Sequence, residues 1–331
     1  MIKVSIIGST GYTGRELIRL LLRHKDCEIV HLSSLVEKEV PISNIFPGLL
    51  CDVPVKTTMN MGDCAESDVI FLCLPHRVSQ EYVPSLYELG KRVIDLSADF
   101  RLKDPDVYEE WYNTHHSSPH LIKEAVYGLP ELYREEIRSA KIVANPGCYP
   151  TSAILGLAPA IKNHLIELNT IYIDAKSGLS GAGSSFSILT HFPEANENVC
   201  AYSIFTHRHT PEIDQELSLL AKSPINVTFV PHLVPMNCGI LSTMYVKLLE
   251  DVNLLDIYKD FYKNEPFVKI IETPPKTKDV LGTNICLINV EKEKQRVVIT
   301  SAIDNLIRGA SGQAIFNMNI MFGFPEDEGL K

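Results

Sequence analysis

The opening of the chain constrains the fold most. "KVSIIG", residues 3–8, is a short apolar run rich in β-branched residues, and it leads directly into Gly8, Gly11 and Gly14. "RELIRLLLRH" then repeats apolar residues at helical spacing, Leu17 with Leu21 and Ile18 with Leu22. Strand, glycine turn and helix, followed by the strand-like "EIVHLS" at 28–33, make a βαβ unit, which closes with a right-handed crossover into a parallel sheet. Glycines at such a turn let a pyrophosphate approach backbone amides at a helix N-terminus. The spacing is Gly-x-x-Gly-x-x-Gly, so the strand before and the helix after carry the reading, against a plain tight turn. It makes residues 8–14 (Gly8, Ser9, Thr10, Gly11, Tyr12, Thr13, Gly14) the dinucleotide candidates. Where NAD-type folds usually place a ribose-binding carboxylate, this chain has Ser33 and Ser34, which leaves room for a 2'-phosphate and predicts NADP(H).

Further strands are predicted at 68–75, 91–100 and 141–145, with helical patterns such as "SQEYVPSLYELG" between the earlier ones. The alternation predicts an α/β fold with a Rossmann-type doubly wound parallel sheet. At 331 residues the chain exceeds the usual size of one hydrophobic core, and the pattern changes near residue 148, so a second, α+β domain is expected there. A formal charge of −10 and the lack of a basic run argue against a nucleic-acid partner. No apolar stretch reaches the roughly 18 residues of a membrane helix, and the N-terminus lacks a signal-peptide design, so a cytoplasmic protein is expected.

The eight cysteines are scattered without Cys-x-x-Cys spacing. A disulfide framework or zinc knuckle is not indicated, and a buried free thiol is the default for each. Cys148 differs in its surroundings. It lies in "ANPGCYPTSA", three residues past a strand end and just ahead of a predicted helix, where the dipole favours thiolate and the amides could hold an oxyanion. A Cys packed under the turn is the competing reading. "FTHRHTPEIDQELSLLA" supplies His207, Arg208 and His209 before a helix start with Glu212 in its first turn. If residues 207–209 are extended, both imidazoles share a face. Surface histidines and a His-x-His metal site compete with an acid/base pair beside an anion-binding Arg; no third ligand follows at a familiar spacing, and no metal is expected. "SGLSGAG", with Ser177, Gly178, Gly181 and Gly183, could approach phosphate or nicotinamide, or be a flexible loop.

Taken together, "GSTGYTGRELIRLL", "FLCLPH", "DLSADFRL", "YGLPEL", "NPGCYPT", "SGLSGAG", "HRHTPEI" and "IDNLIRGASGQAIFNMN" resemble, in order and over nearly the whole chain, the N-acetyl-gamma-glutamyl-phosphate reductases of arginine biosynthesis. The resemblance implies a Rossmann domain over 1–147 completed by a C-terminal segment 306–331, with an inserted α+β catalytic and oligomerisation domain over 148–305. It implies Cys148 as the acylated nucleophile, His207 as acid/base, Glu212 supporting it, and His209 and Arg208 nearby. Asn305 is a cofactor-binding candidate, and the last helix, after it, would pack on the first domain and help to hold the nicotinamide. Arg208, Arg101 and Asn145 are the candidates for the anionic substrate, with a structural ion pair the alternative for Arg101. The implied partners are an acyl phosphate, its semialdehyde, phosphate, and further copies of the chain in a homodimer or homotetramer. Three rival readings stand beside this: the same chemistry on an aminoadipyl or aspartyl phosphate, a non-catalytic NADPH-binding regulator, and a metal-dependent hydrolase on the two histidines. One methylene separates substrates by only about 1–3 kcal/mol, and Gly-Cys-Tyr-Pro disfavours the aspartyl enzyme, which usually carries Asn-Cys-Ser or Asn-Cys-Thr.

Overall fold

The computed structural model describes residues 1–57 and 61–331, which form two compact units, Met1–Pro146 with Ala310–Lys331, and Gly147–Gly309. In the first, β1 (Ile2–Ile7), β2 (Cys27–Ser33), β3 (Val40–Pro41), β4 (Pro54–Lys56), β5 (Val69–Leu72), β6 (Arg92–Asp95), β7 (Ala125–Tyr127) and β8 (Ile142–Ala144) make one sheet in the order β3-β4-β2-β1-β5-β6-β8-β7. Every pairing is parallel except that of β3 with β4. The order runs one way from β1 to β2 and the other way from β1 to β5. That reversal opens a crevice at the strands' carboxyl ends, where Gly8 and Cys73 emerge side by side.

Helix Tyr12–Leu21 buries Leu17, Ile18, Leu20 and Leu21, whereas Leu22, paired with Ile18 by spacing, is the exposed C-cap. Each buried side chain of this kind contributes about 1.5–3 kcal/mol on full burial. Helix Gly312–Phe322 packs on it and on helix Pro130–Ser139, so the end of the chain completes the first unit's core. The β-rich pattern at 91–100 yields a strand only over β6, because Asp95, Ser97 and Asp99 then hydrogen-bond one another in a polar turn.

In the second unit, β9 (Tyr172–Ser177), β10 (Cys200–Ala201), β11 (Thr228–Leu233), β12 (Ile240–Lys247), β13 (Val268–Ile270), β14 (Cys286–Glu293) and β15 (Arg296–Ile303) form a mixed sheet, ordered β10-β11-β9-β12-β15-β14-β13. Its register aligns Ser177 with Leu233 and Ile240, and Ile240 with Ile303. Four strand ends therefore share one edge.

Helix Cys148–Lys162 lies across β12 and β15, with Tyr149 through Ile161 all buried. Gly156 lets it close on the sheet, since a Cβ there would lie 2.4 Å from Met244 Cε. Ser152 Oγ ties it down by donating to Ser242 Oγ at 2.9 Å and Ser301 Oγ at 3.1 Å. Pro159 has no N–H, which would orphan the Leu155 carbonyl, and the Tyr262 hydroxyl donates to that oxygen at 2.6 Å.

Candidate active site

In the first unit the three glycines have separate jobs. Gly8 has φ +87, and a Cβ on it would fall 2.2 Å from Cys73 O; on Gly14 a Cβ would fall 2.5 Å from Gly8 O. Both permit backbone-on-backbone packing. Gly11 is the helix N-cap, without a side-chain cap, and a Cβ on it would meet nothing nearer than Gly8 O at 3.8 Å. That open, uncapped helix start, with no acidic residue in its first turn, fits a pyrophosphate. Ser9 Oγ donates to Ser33 O at 3.1 Å, and the hydroxyls of Thr10 and Ser34 bond each other at the end of β2. Thr13 holds Cys73, whose thiol burial pushes up to about 12, and Tyr12 is exposed. Hydroxyls where a carboxylate would repel a 2'-phosphate fit NADP(H).

Arg101 and Asn145, expected at the substrate, make structural hydrogen bonds within the first unit. The buried Arg101 donates from Nε to Asn145 O at 2.7 Å and from Nη2 to Leu96 O at 2.8 Å. Asn145 Nδ2 donates to Ala310 O at 3.1 Å, and its Oδ1 accepts from Asn317 Nδ2 at 3.0 Å. Arg77, in the loop after β5, has φ 77, and its amide donates to Asp99 Oδ1 at 2.7 Å.

In the second unit Cys148 is the first residue of its helix, not the residue ahead of it, and Gly147 is the N-cap. Proline at the third helical position costs no hydrogen bond, which lets the helix start earlier than Pro150 suggested. Gly147 N donates to Glu212 Oε1 at 2.8 Å, and Glu212 is 1% exposed. A Cβ on Gly147 would lie 2.5 Å from His209 Nε2, and one on Gly309 would lie 2.6 Å from Cys148 Cβ. His209 and Gly309 thus press against the Gly147–Cys148 turn from segments far along the chain.

Residues 207–209 are not extended. His209 has φ −84 and ψ −12 as cap of helix Thr210–Ala221, yet the imidazoles still meet, with centroids 4.9 Å apart. His207 is packed among Tyr149, Tyr202 and Phe229. Burial, and then the charge of exposed Arg208, lower its pKa to about 4. Nδ1 of His207 accepts the His209 amide at 3.1 Å.

The "SGLSGAG" loop is stapled to residues 236–239. Gly178 N donates to Gly239 O, Leu179 N to Met236 O, and Ser180 Oγ to Asn237 O at 2.7 Å. Ser177 Oγ donates to Gly178 O. A Cβ on Gly178 would collide with Asn237 O at 2.5 Å, so that glycine serves contact within the protein; a Cβ on Gly181 would meet Ser177 Oγ at 3.0 Å, and Gly183, with φ +82, faces open space. Asn305 joins the staple, accepting from Gly239 N at 2.6 Å and donating to Ser180 Oγ at 3.0 Å. Among the described residues no group of three or more His, Cys, Asp or Glu is placed to hold a metal, and no helix is long and apolar enough to cross a membrane.

A doubly wound dinucleotide sheet together with a mixed-sheet domain whose long helix begins on a cysteine defines the semialdehyde dehydrogenase class. The models for its NAD binding domain and its dimerisation domain match residues 3–140 and 148–305. Within it, the chain belongs to the N-acetyl-gamma-glutamyl-phosphate reductase family. It is 50% identical over 339 residues to the protein of that name from Desulforamulus reducens, covering 100% of this chain and 98% of the relative. To that of Dehalococcoides mccartyi it is 52% identical over 336 residues, covering 99% and 97%. Aspartate semialdehyde dehydrogenase II of Vibrio cholerae shares the fold at TM-score 0.75 and 16% identity, covering 98% of this chain and 99% of that one. The Candida albicans aspartate semialdehyde dehydrogenase, solved with NADP, does so at TM-score 0.69 and 14% identity, covering 97% and 98%.

Proposed function

We propose that the protein reduces N-acetyl-L-glutamyl 5-phosphate to N-acetyl-L-glutamate 5-semialdehyde with NADPH, releasing phosphate, as a step of arginine biosynthesis in the cytoplasm. The observation that carries the reading is the His209 imidazole seated on Gly147, beside a cysteine at a helix N-terminus. Cys148 Sγ gives its proton to imidazole and attacks the acyl carbon; the C–S bond forms, the C–O bond to phosphorus breaks, and phosphate leaves a thioester. NADPH, when bound, supplies the hydride that takes the thioester to the aldehyde oxidation level. The helix-start amides stabilise the oxyanion, whose collapse expels Cys148 as thiolate. His209 is the proton-handling imidazole. The resemblance gives that role to His207, but His207 Nδ1 is occupied by the His209 amide, while the His209 ring lies on the nucleophile turn. Glu212 fixes Gly147, and Arg208 is the cation best placed by its exposure to meet anionic substrate.

Assembly uses the open face of the mixed sheet. A groove of about 620 Å³ there is lined by Tyr172, Tyr245, Lys247, Glu291, Arg296 and Val298, and both tyrosines are about half exposed. That face fits a second copy of the chain. Relatives at half identity carry the N-acetylglutamyl name, whereas aspartyl enzymes share only the fold.

The test is phosphate-dependent reduction of NADP⁺ by N-acetylglutamate 5-semialdehyde, with NAD⁺, the aspartyl and the aminoadipyl analogues alongside. Wild type should turn over, and Cys148→Ser should lose several orders of magnitude. Turnover on an analogue alone refutes the substrate; activity retained in Cys148→Ser refutes the nucleophile.

A further inference from the structure

We propose that Tyr202, with Tyr149 behind it, is a positioning residue that anchors the ring of His207, whose Nε2–H tautomer the His209 amide sets, and thereby holds His209 against Cys148. The inference deepens the reaction proposed above and rests on it for its kinetic arm.

The directions of the hydrogen bonds decide the matter. His209 N donates to His207 Nδ1 at 3.1 Å, so that nitrogen carries no proton. A neutral imidazole then bears its hydrogen on Nε2, which lies 3.3 Å from Tyr202 Oη. Tyr202 Oη donates to Tyr149 Oη at 3.4 Å, and Tyr149 Oη donates to His232 O at 3.1 Å. The series runs one way and ends on a carbonyl, which cannot pass a proton on. It is an anchor for the ring, not a relay. The protonation states agree with this geometry. Burial holds His207 deprotonated down to about pH 4 and raises both phenols, Tyr202 to about 12.

The backbone is bent to make the contact. Tyr202 N donates to Pro231 O, and the chain then reverses through Ser203 at φ 47 and Phe205 at φ 60, with Thr206 N returning to Ser203 O. Two non-glycine residues in the left-handed region are strained, and Phe205 is left 68% exposed. What the reversal achieves is a ring contact between Tyr202 and His207, five positions apart, at 5.4 Å and 72°. Two residues further on, the backbone amide of His209 donates to Nδ1 of that anchored ring and fixes the cap from which the His209 ring reaches Gly147.

Tyr202→Phe keeps the ring and removes only the hydroxyl. In the full-length protein, the imidazole ¹⁵N signature of His207, assigned by its loss in His207→Asn, should show the Nε2–H tautomer in both proteins, with the Nε2 resonance shifted in Tyr202→Phe because its proton loses its acceptor. kcat should fall about tenfold, the weight of one hydrogen bond, with KM values for semialdehyde and NADP⁺ unchanged. Tyr149→Phe, one link further out, should give the same signature change with a smaller loss. An unchanged His207 signature in Tyr202→Phe overturns the proposal, as does a changed signature with wild-type kcat. So does a fall in melting temperature alone, which would make Tyr202 a packing residue. If wild type itself fails to turn over, the reaction is misassigned, and the ¹⁵N measurement still tests the anchor.

Discussion

Gly147→Ala isolates the geometry on which the chemistry depends. Gly147 has φ −68 and ψ 155, a conformation open to any residue, so the substitution adds no backbone strain. Its new methyl carbon would sit 2.5 Å from His209 Nε2 and 2.9 Å from Cδ2 and Cε1. Ordinary contact begins near 3.5 Å, so the imidazole must retreat by about 1 Å. It has little freedom to do so, with Tyr149 at 5.9 Å and His207 at 4.9 Å between centroids. Overpacking of this kind costs about 1–3 kcal/mol of stability, and a 1 Å displacement of a catalytic group costs about 10²-fold in rate. The variant should therefore fold with a lowered melting temperature while kcat for NADP⁺ reduction falls about a hundredfold. Alkylation of Cys148 by iodoacetamide should slow as well, because the thiol loses its proton acceptor. A folded variant with wild-type kcat would refute the placement of His209 as the working imidazole.

Gly309→Ala would put a methyl carbon 2.6 Å from Cys148 Cβ and 3.1 Å from its Cα, and with backbone on both sides neither can swing away. Activity and Cys148 alkylation should both be lost, and normal alkylation would refute the contact. Arg77→Gly relieves a φ of 77 while leaving the amide bond to Asp99 in place, so the melting transition should shift upward by the equivalent of about 1 kcal/mol; a fall would refute the strain. Asp95 has its carboxyl raised by burial and then by Asp99 from 3.8 to about 7. Between those values the folded state holds a proton the unfolded chain has lost, so this group makes stability fall as pH rises. Asp95→Asn should flatten that fall in denaturant melts at pH 5 and 8, and an unchanged slope would refute the assignment.

The strand, turn and first helix were legible because each depends on local pattern: β-branched apolar residues, then glycine, then a buried stripe. The placement of Cys148 at a helix start and of the two histidines at the next helix's cap was legible because both are local patterns. Long-range contacts were not. Gly178 looks like a ligand-approach glycine, yet the atom it makes room for, Asn237 O, lies 59 residues away in sequence. Arg101 reads as an anion site in sequence, and its bonds to the backbone carbonyls of Leu96 and Asn145 have no sequence signal. Tyr202 carried no signal, since the reversal that brings it to His207 contains neither Gly nor Pro. The choice between the two histidines likewise turns on which one accepts an amide, and spacing does not encode that.

The second unit explains why so many ligand-like loops serve one cysteine. The sheet register brings the ends of β9, β11 and β15 and the start of β12 to a single edge, so the loops after Ser177, Leu233 and Ile303 leave it together. Asn305 bridges all three, binding Gly239 N through Oδ1 and Ser180 Oγ through Nδ2. Asp304 then shapes the onward turn, accepting the amides of Leu306 and Ile307, with its own carbonyl taken by Gly309 N at 2.9 Å. That turn delivers Gly309 onto Cys148 Cβ. The side chain expected to hold the cofactor also clamps the loop that seats Cys148. The small residues around it follow from backbone meeting backbone, which a pyrophosphate site and a tightly packed catalytic turn require alike.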